Sequence, residues 1–210
     1  NIYSYINSNG NYFVSMYGGY FYEINKKINL NMGLNCSTSK NTSIINKSQT
    51  QVKSYLLSPS IGFNYNIEDK IDYGIDYSPQ WNISAGSLVG ENIEYYSHEI
   101  SGYIRIDITK RMKFNTEINI DQQNPQSDFD SKFERYLWNA SLSQFLLKNK
   151  QLEIKLSVND LLDNNKGFNR SVNSQEFSET KYNTIRRYTM LSLIYNFKNL
   201  DNNKKNANNE

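Results

Sequence analysis

The sequence predicts an all-β protein, an antiparallel meander of about ten long strands that forms a transmembrane β-barrel. The first observation is the run from Ile71 to Ala85, where apolar and polar side chains alternate without a break, as is typical of a β-strand. The second is that similar alternation recurs along the chain, with turn signals between the segments. The third is length, because soluble strands have roughly five or six residues, whereas a tilted strand that crosses a bilayer needs about 9–11.

The predicted strands follow one another along the chain. Two less regular segments come first, at about 2–7 and 11–24. Clearer segments, in which most alternate positions are apolar, lie at 28–36, 55–65, 71–85, 100–108, 112–120, 136–142, 152–158 and 191–197. The connections are too short for crossover helices, so we expect neighbouring strands to pair in antiparallel fashion.

The connections alternate in length. Short charged turns are predicted at 25–27, 68–70, 110–111 and 148–150, and longer polar loops near 40–50, 86–92, 122–133 and 160–183. This asymmetry is typical of outer-membrane barrels, which have short periplasmic turns and long extracellular loops. We expect residues 1–199 to form the barrel and residues 200–210 to be a disordered polar tail, because the tail has nothing to bury.

Composition excludes several classes of protein. No run approaches the roughly 18 apolar residues of a transmembrane helix. The 23 basic and 21 acidic residues are interleaved, so no basic patch predicts binding of nucleic acid. One cysteine allows no intrachain disulfide, one histidine and one cysteine cannot form a closed zinc site without several carboxylates, and no motif predicts a cofactor.

Alternation alone does not decide which face meets water, since a soluble lipid-binding barrel also alternates but turns its apolar face inward. Aromatic residues near strand ends, and polar faces rich in Asn, Ser and Gly, favour the membrane. We therefore expect one face of the 71–85 strand to meet lipid, through Ile71, Tyr73, Ile75, Tyr77, Trp81 and Ile83. The opposite face is expected to line the lumen, through Asp72, Asp76, Gln80 and Asn82. Pro79 lacks a ladder donor and predicts a bulge or a weak point.

An enzymatic alternative rests on the single histidine, His98, which falls on the apolar face near the expected outer rim. Ser87 could approach it from the neighbouring strand, as in an outer-membrane esterase, but no motif supports a catalytic pair. We therefore predict that the chain is not an enzyme and that His98 is an interfacial side chain. The charges on the polar faces, among them Asp72, Arg105 and Asp107, are expected to pair with one another across strands.

Two segments near the end of the chain carry a family resemblance. The segment 152–164 resembles the penultimate strand of TonB-dependent receptor barrels, with Asn159, Leu161, Leu162 and Asp163 in an Asn-Leu-Phe-Asp-like corner and Asp160 as an extra residue. The segment 187–197 resembles the closing strand of the same family, especially of outer-membrane β-barrel proteins of Bacteroidota. In that family the closing strand is read by the barrel-assembly machinery. The resemblance therefore assigns the assembly signal to Leu191, Leu193, Tyr195 and Phe197.

This resemblance implies the C-terminal part of a larger barrel in the bacterial outer membrane, although a small complete barrel stays open. Members of the family carry an N-terminal plug and a barrel of about twenty-two strands. The implied function is uptake of an unidentified nutrient, with outer-membrane lipid around the barrel. The implied partners are a plug and TonB, neither of which is evident in this sequence.

Overall fold

A computed structural model describes residues 10–45, 48–68, 70–86, 93–125, 132–172 and 177–197. The described residues form one nine-stranded antiparallel sheet and a separate two-stranded hairpin. The strands are β1 (Tyr12–Asn25), β2 (Ile28–Ile45), β3 (Ser48–Ile67), β4 (Ile71–Gly86), β5 (Ile93–Thr109), β6 (Met112–Gln123), β7 (Phe133–Leu146), β8 (Leu152–Asn159), β9 (Gly167–Val172), β10 (Phe177–Tyr182) and β11 (Tyr188–Tyr195).

The sheet is a meander in which β1 to β8 pair in sequence order, and β8 then pairs with β11. The order is β1-β2-β3-β4-β5-β6-β7-β8-β11, and β9 and β10 form their own hairpin between β8 and β11. The all-β antiparallel meander predicted from the sequence is thus confirmed. Within the described residues the sheet does not close into a barrel, so that β1 and β11 are its two edge strands. The predicted strand at 2–7 and the tail at 200–210 lie outside the described residues.

The connections lie at two ends of the sheet. One end, the short-turn end, carries the turns between β1 and β2, β3 and β4, β5 and β6, and β7 and β8. At the first of these, the Asn25 side chain accepts hydrogen bonds from the amides of Lys27 and Ile28. The opposite end, the long-loop end, carries the remaining connections. The prediction of a long loop at 40–50 is wrong, because β2 and β3 continue as a paired ladder to Ile45 and Ser48.

The sheet has one apolar and one polar face but no apolar core. No hydrophobic residue in the described part of the chain is buried, and the buried polar residues are Thr50, Ser84, Ser143, Ser157 and Asp160. The register brings apolar residues of neighbouring strands side by side: Tyr77 lies beside Ile61 in β3 and Ile100 in β5. The apolar face is therefore continuous from strand to strand across the sheet.

Proline interrupts one ladder without changing its register. The pairing of β3 with β4 stops after Leu57 and Trp81 and resumes four residues along each strand, at Ile61 and Tyr77. Pro79 lies in this gap, and it pairs with His98 of β5 on its other side. Because equal numbers of residues are skipped on both strands, the predicted bulge is absent at this point. A local break in the ladder takes its place.

A glycine on the polar face makes room for an aromatic ring. Gly74 lies directly across from Tyr103, and the Tyr103 side chain occupies the space that a side chain on residue 74 would need. A Cβ atom at residue 74 would lie 2.7 Å from Cε1 of Tyr103 and 2.5 Å from Oδ1 of Asn64. Cross-strand aromatic cover of a glycine is a known means of stabilising a sheet.

We expect Gly74→Ala to lower the free energy of unfolding by about 1–3 kcal/mol, because the new methyl group overpacks against Tyr103. Gly102→Ala is the matched control in the adjacent strand, since the nearest atom to its Cβ would be 3.5 Å away. Urea unfolding in neutral detergent, followed by tryptophan fluorescence, gives both values. In a Tyr103→Ala background the cost of Gly74→Ala should fall. Equal stability of the two alanine variants would contradict this account.

Candidate lipid-facing surface, polar face and corner segment

The apolar face of β3 is long enough to cross a bilayer. Its apolar residues run from Tyr55 to Ile67, twelve positions apart, and on the same face Lys53 and Gln51 follow toward the long-loop end. At about 3.3 Å per residue this band is about 40 Å long, and a strand tilt of about 40° reduces its projection to about 30 Å. That value matches the hydrocarbon thickness of a typical bilayer, about 30 Å.

Aromatic side chains gather toward both ends of this band. Toward the short-turn end, the ring of Tyr73 lies 5.1 Å from that of Tyr65 and 6.0 Å from that of Phe63, measured between centroids. Toward the long-loop end, the rings of Trp81 and Tyr96 lie 5.1 Å apart. Tyr73 and Trp81 are eight positions apart in β4, about 26 Å along the strand, which the same tilt of about 40° reduces to about 20 Å. Aromatic side chains toward both ends of an apolar band are typical of membrane barrels.

His98 belongs to the long-loop group of aromatic side chains. Its ring lies 5.4 Å from that of Tyr96, and its Nε2 lies 2.7 Å from Oε1 of Gln122. Gln122 in turn donates through Nε2 to the hydroxyl of Tyr136 at 2.7 Å. His98 is thus held by an amide and by aromatic rings. Ser87, its candidate catalytic partner, lies outside the described residues.

Charged side chains on the polar face pair across strands. Arg105 donates to Asp72 at 3.0 Å, and Lys113 lies 3.2 Å from Asp107, so Asp72, Arg105 and Asp107 form cross-strand pairs as predicted. Each pair is partly exposed, so each contributes at most about 1 kcal/mol. Their main effect is to fix side-chain positions on this face.

Tyr103 extends the network around Asp72. Its hydroxyl donates to Oδ1 of Asp72 at 3.1 Å and lies 3.3 Å from Oδ1 of Asn64. The guanidinium carbon of Arg105 lies 4.5 Å from the centroid of the Tyr103 ring. Beside this network is a polar cavity of about 310 Å³, whose lining includes Glu117 and Lys155. The polar face therefore offers both charges and amides to a polar solute.

The corner segment, residues 159–165, hydrogen-bonds to β7 beyond the point where β8 ends. The pairing of β7 with β8 ends at Ala140 and Val158. Beyond that point Leu161 donates its amide to the carbonyl of Trp138 at 2.7 Å. The amide of Tyr136 donates to the side chain of Asn164 at 3.2 Å. Backbone groups that would be unpaired at the end of the strand are thereby satisfied.

Asp160 organises the corner segment from within. It is 2% exposed and adopts a left-handed backbone conformation, with φ of 55°. Its two carboxylate oxygens accept the amides of Asn164 and Asn165 at 2.9 and 3.0 Å, and its own amide donates to the Asn139 side chain at 2.9 Å. The residue that stood out as an insertion in the family-like corner is therefore its structural centre.

The corner segment also holds the approach to β11. Asn165 donates through its side chain to the carbonyl of Ile185 at 3.0 Å, and the Thr184 hydroxyl donates to the carbonyl of Asn165. Asp163 accepts the amide of Arg187 at 3.3 Å. The two segments that carried the family resemblance thus contact each other in the structure.

The structure places the other predicted site residues as follows. In β4, Ile75, Tyr77, Trp81 and Ile83 are exposed on the apolar face, with Ile71 and Tyr73 half-buried beside them. Asp72, Asp76, Gln80 and Asn82 are half-buried on the polar face. In the corner segment Asn159 and Leu161 are half-buried, whereas Leu162 and Asp163 are exposed. Leu191, Leu193 and Tyr195 are exposed on the edge strand β11, and Phe197 follows it.

Comparison of the chain with protein-family models, with characterised proteins and with solved structures finds no match. The family resemblance therefore stays a prediction from the sequence. Among the described residues there is no helix that is long and apolar enough to cross a bilayer. The same part of the chain contains no group of three or more His, Cys, Asp or Glu side chains that could hold a metal ion.

We expect Asp160→Ala to lower the free energy of unfolding by about 2–3 kcal/mol, because two partly buried amides lose a charged acceptor. Asp163→Ala is the matched control in the same segment, because Asp163 shares the left-handed backbone conformation, with φ of 52°, but has an exposed carboxylate, so its loss should cost less. Urea unfolding in neutral detergent measures both. A smaller loss for Asp160→Ala than for Asp163→Ala would show that Asp160 does not organise the corner.

Proposed function

We propose that this chain is part of a β-barrel that spans a bacterial outer membrane and serves in the uptake of a nutrient. The membrane-spanning part of the proposal is supported by the exposed apolar face of the meander sheet. The uptake role, with coupling to TonB through a plug, rests on the resemblance of segments 152–164 and 187–197 to TonB-dependent receptors. No step in this function makes or breaks a covalent bond.

One observation carries the proposal: the apolar face is continuous and exposed, and no hydrophobic residue of the described chain is buried. Ile75, Trp81 and Trp138 are 52%, 42% and 40% exposed. A soluble single-layer sheet would have to bury such a face against a second layer, whereas lipid solvates it directly. Exposed apolar surface on this scale marks a contact with membrane or protein.

The dimensions of the face support lipid as the contact. A band with a projection of about 30 Å ends in aromatic side chains on both sides, which is the arrangement of the outer surface of membrane barrels. In this proposal the short-turn end faces the periplasm. The long-loop end, with the corner segment and the β9–β10 hairpin, faces outward.

The polar face would line the interior of the barrel. Its ion pairs, among them Asp72–Arg105 and Asp121–Arg135 at 2.7 Å, fix side chains beside a wet passage. Glu117 accepts a hydrogen bond from Asn139 at 3.0 Å, so its carboxylate is also held in place. A polar solute would meet oriented charges and amides along this wall. The supply of energy would come from an inner-membrane partner.

Tryptophan quenching tests the placement of the apolar face. In bilayers that contain lipids with brominated acyl chains, we expect the fluorescence of Trp81 and Trp138, the two tryptophans of the chain, to be strongly quenched. The control is a triple variant, Leu137→Trp with Trp81→Phe and Trp138→Phe. Its single tryptophan lies in β7, next to residue 138 but on the opposite face of the sheet. It should be quenched by aqueous iodide instead. Iodide quenching of Trp138 without quenching by brominated lipid would contradict the proposal.

Partition gives an independent test. The purified chain should need detergent or lipid to stay in solution as a monomer, because its exposed apolar face otherwise associates. Sedimentation in detergent-free buffer measures this. A stable monomer under those conditions would overturn the membrane proposal and favour the soluble lipid-binding barrel.

Cysteine labelling tests the orientation. In a Cys36→Ser background, Ser127→Cys lies between β6 and β7 at the long-loop end, and Asn149→Cys lies in the turn between β7 and β8. A membrane-impermeant maleimide added to intact cells should label Ser127→Cys, whereas Asn149→Cys should react only after lysis. The reverse pattern would show that the short-turn end faces outward.

A further inference from the structure

A basic cleft lies at the long-loop end of the sheet, next to the corner segment. It has a volume of about 280 Å³ and is lined by Phe133, residues 165–168, residues 181–184 and Arg186. Phe133 is the first residue of β7, residues 165–168 lead into β9, and residues 181–186 lead from β10 toward β11. Three parts of the chain that are distant in sequence therefore meet around one cavity.

The charged side chains that line the cleft are all cationic. They are Lys166, Lys181 and Arg186. Glu179 lies 2.8 Å from Lys181, and Asp163 lies 3.8 Å from Arg186, but neither carboxylate lines the cavity. Lys166 forms no ion pair within the described part of the chain. The cleft therefore carries an excess of positive charge, which favours an anion.

One wall of the cleft is aromatic. The rings of Phe133 and Phe168 stack at 4.2 Å between centroids, with 13° between their planes. Tyr182 lies across from Gly167 in the β9–β10 hairpin, and a Cβ atom on residue 167 would clash with both the carbonyl oxygen and the ring of Tyr182. Gly167 is needed here because its missing side chain leaves room for the backbone and the ring of Tyr182. An aromatic pair thus lies beside the three cations.

We propose that this cleft binds a small ligand in which an anionic group is attached to a flat aromatic ring. Lys166 and Arg186 would contact the anion, and the ring would pack against Phe168 and Phe133. Arg186 suits this role because its ion pair with Asp163 is long and exposed, with 79% of its side chain open to solvent. A site of this volume, near the lower end of the roughly 300–1,000 Å³ range of ligand pockets, accommodates one such molecule.

The chemistry of the site does not depend on where the chain resides, whereas a role in uptake rests on the proposed function. Binding to the purified full chain in neutral detergent therefore tests the site by itself. If binding is found but the tryptophans are not quenched by brominated lipid, only the membrane proposal fails. If the tryptophans are quenched but the cleft does not bind, only this inference fails.

Phenyl phosphate is a suitable probe, with inorganic phosphate and phenol as its two halves. Equilibrium dialysis at low salt should show that phenyl phosphate binds about tenfold more tightly than either half. The double variant Lys166→Gln with Arg186→Gln should weaken phenyl phosphate about tenfold or more, because charge-assisted contacts are lost. Phe168→Leu should weaken phenyl phosphate but leave inorganic phosphate unchanged.

The matched control also removes one lysine and one arginine charge, but at the opposite end of the sheet. Lys110→Gln with Arg111→Gln lies in the turn between β5 and β6, and this variant should bind phenyl phosphate as the unmodified chain does. Equal binding by the two double variants would overturn the proposal. Binding of phenol as tight as that of phenyl phosphate would also overturn it. If Phe168→Leu does not fold, Phe133→Leu tests the same aromatic wall.

Discussion

The cross-strand register is the constraint on which the rest of this sheet depends. Side chains alternate with a period of two, so a slip of one residue between any two strands would exchange the apolar and polar faces of everything beyond it. Here the rows of cross-strand neighbours stay aligned from β4 to β7: Ile75 lies beside Gly102, Gly102 beside Ile118, and Ile118 beside Trp138. The continuous apolar face, the aromatic groups at its ends and the ion pairs of the polar face all follow from that alignment. Even the gap at Pro79 preserves it, because both strands skip the same number of residues.

Much of this architecture could be predicted because alternation is a local property of the sequence. The predicted strand at 71–85 corresponds to β4, Ile71–Gly86. The ends of other strands could not be predicted, since a backbone ladder continues where alternation of hydropathy stops. β3 begins at Ser48 although its apolar pattern begins at Tyr55, so residues that looked like a loop form a paired hairpin. The short strands β9 and β10 are similarly polar and carry little periodic signal.

The positions that sequence patterns missed depend on contacts between distant residues. Gly74 gave no sign of its role, because the need for glycine arises from Tyr103, which lies in another strand. Asp160 stood out only as an extra residue in a family-like corner, yet it is the buried acceptor that binds the turn together. The cluster of cations around the basic cleft was equally hidden. Lys166 and Arg186 are twenty residues apart, and the β9–β10 hairpin brings them together.

The direction of the edge strands has a consequence for any closed form of this sheet. In an antiparallel meander successive strands reverse direction, and the described sheet has nine of them, so its first and last strands, β1 and β11, point the same way. If these two edges met directly, they would form a parallel pair within an otherwise antiparallel wall. Closure with antiparallel pairing throughout therefore requires an odd number of additional strands between them. The exposed rings of Phe13, Tyr17 and Phe21 lie on the polar side of β1, the edge strand that such added strands would pair with.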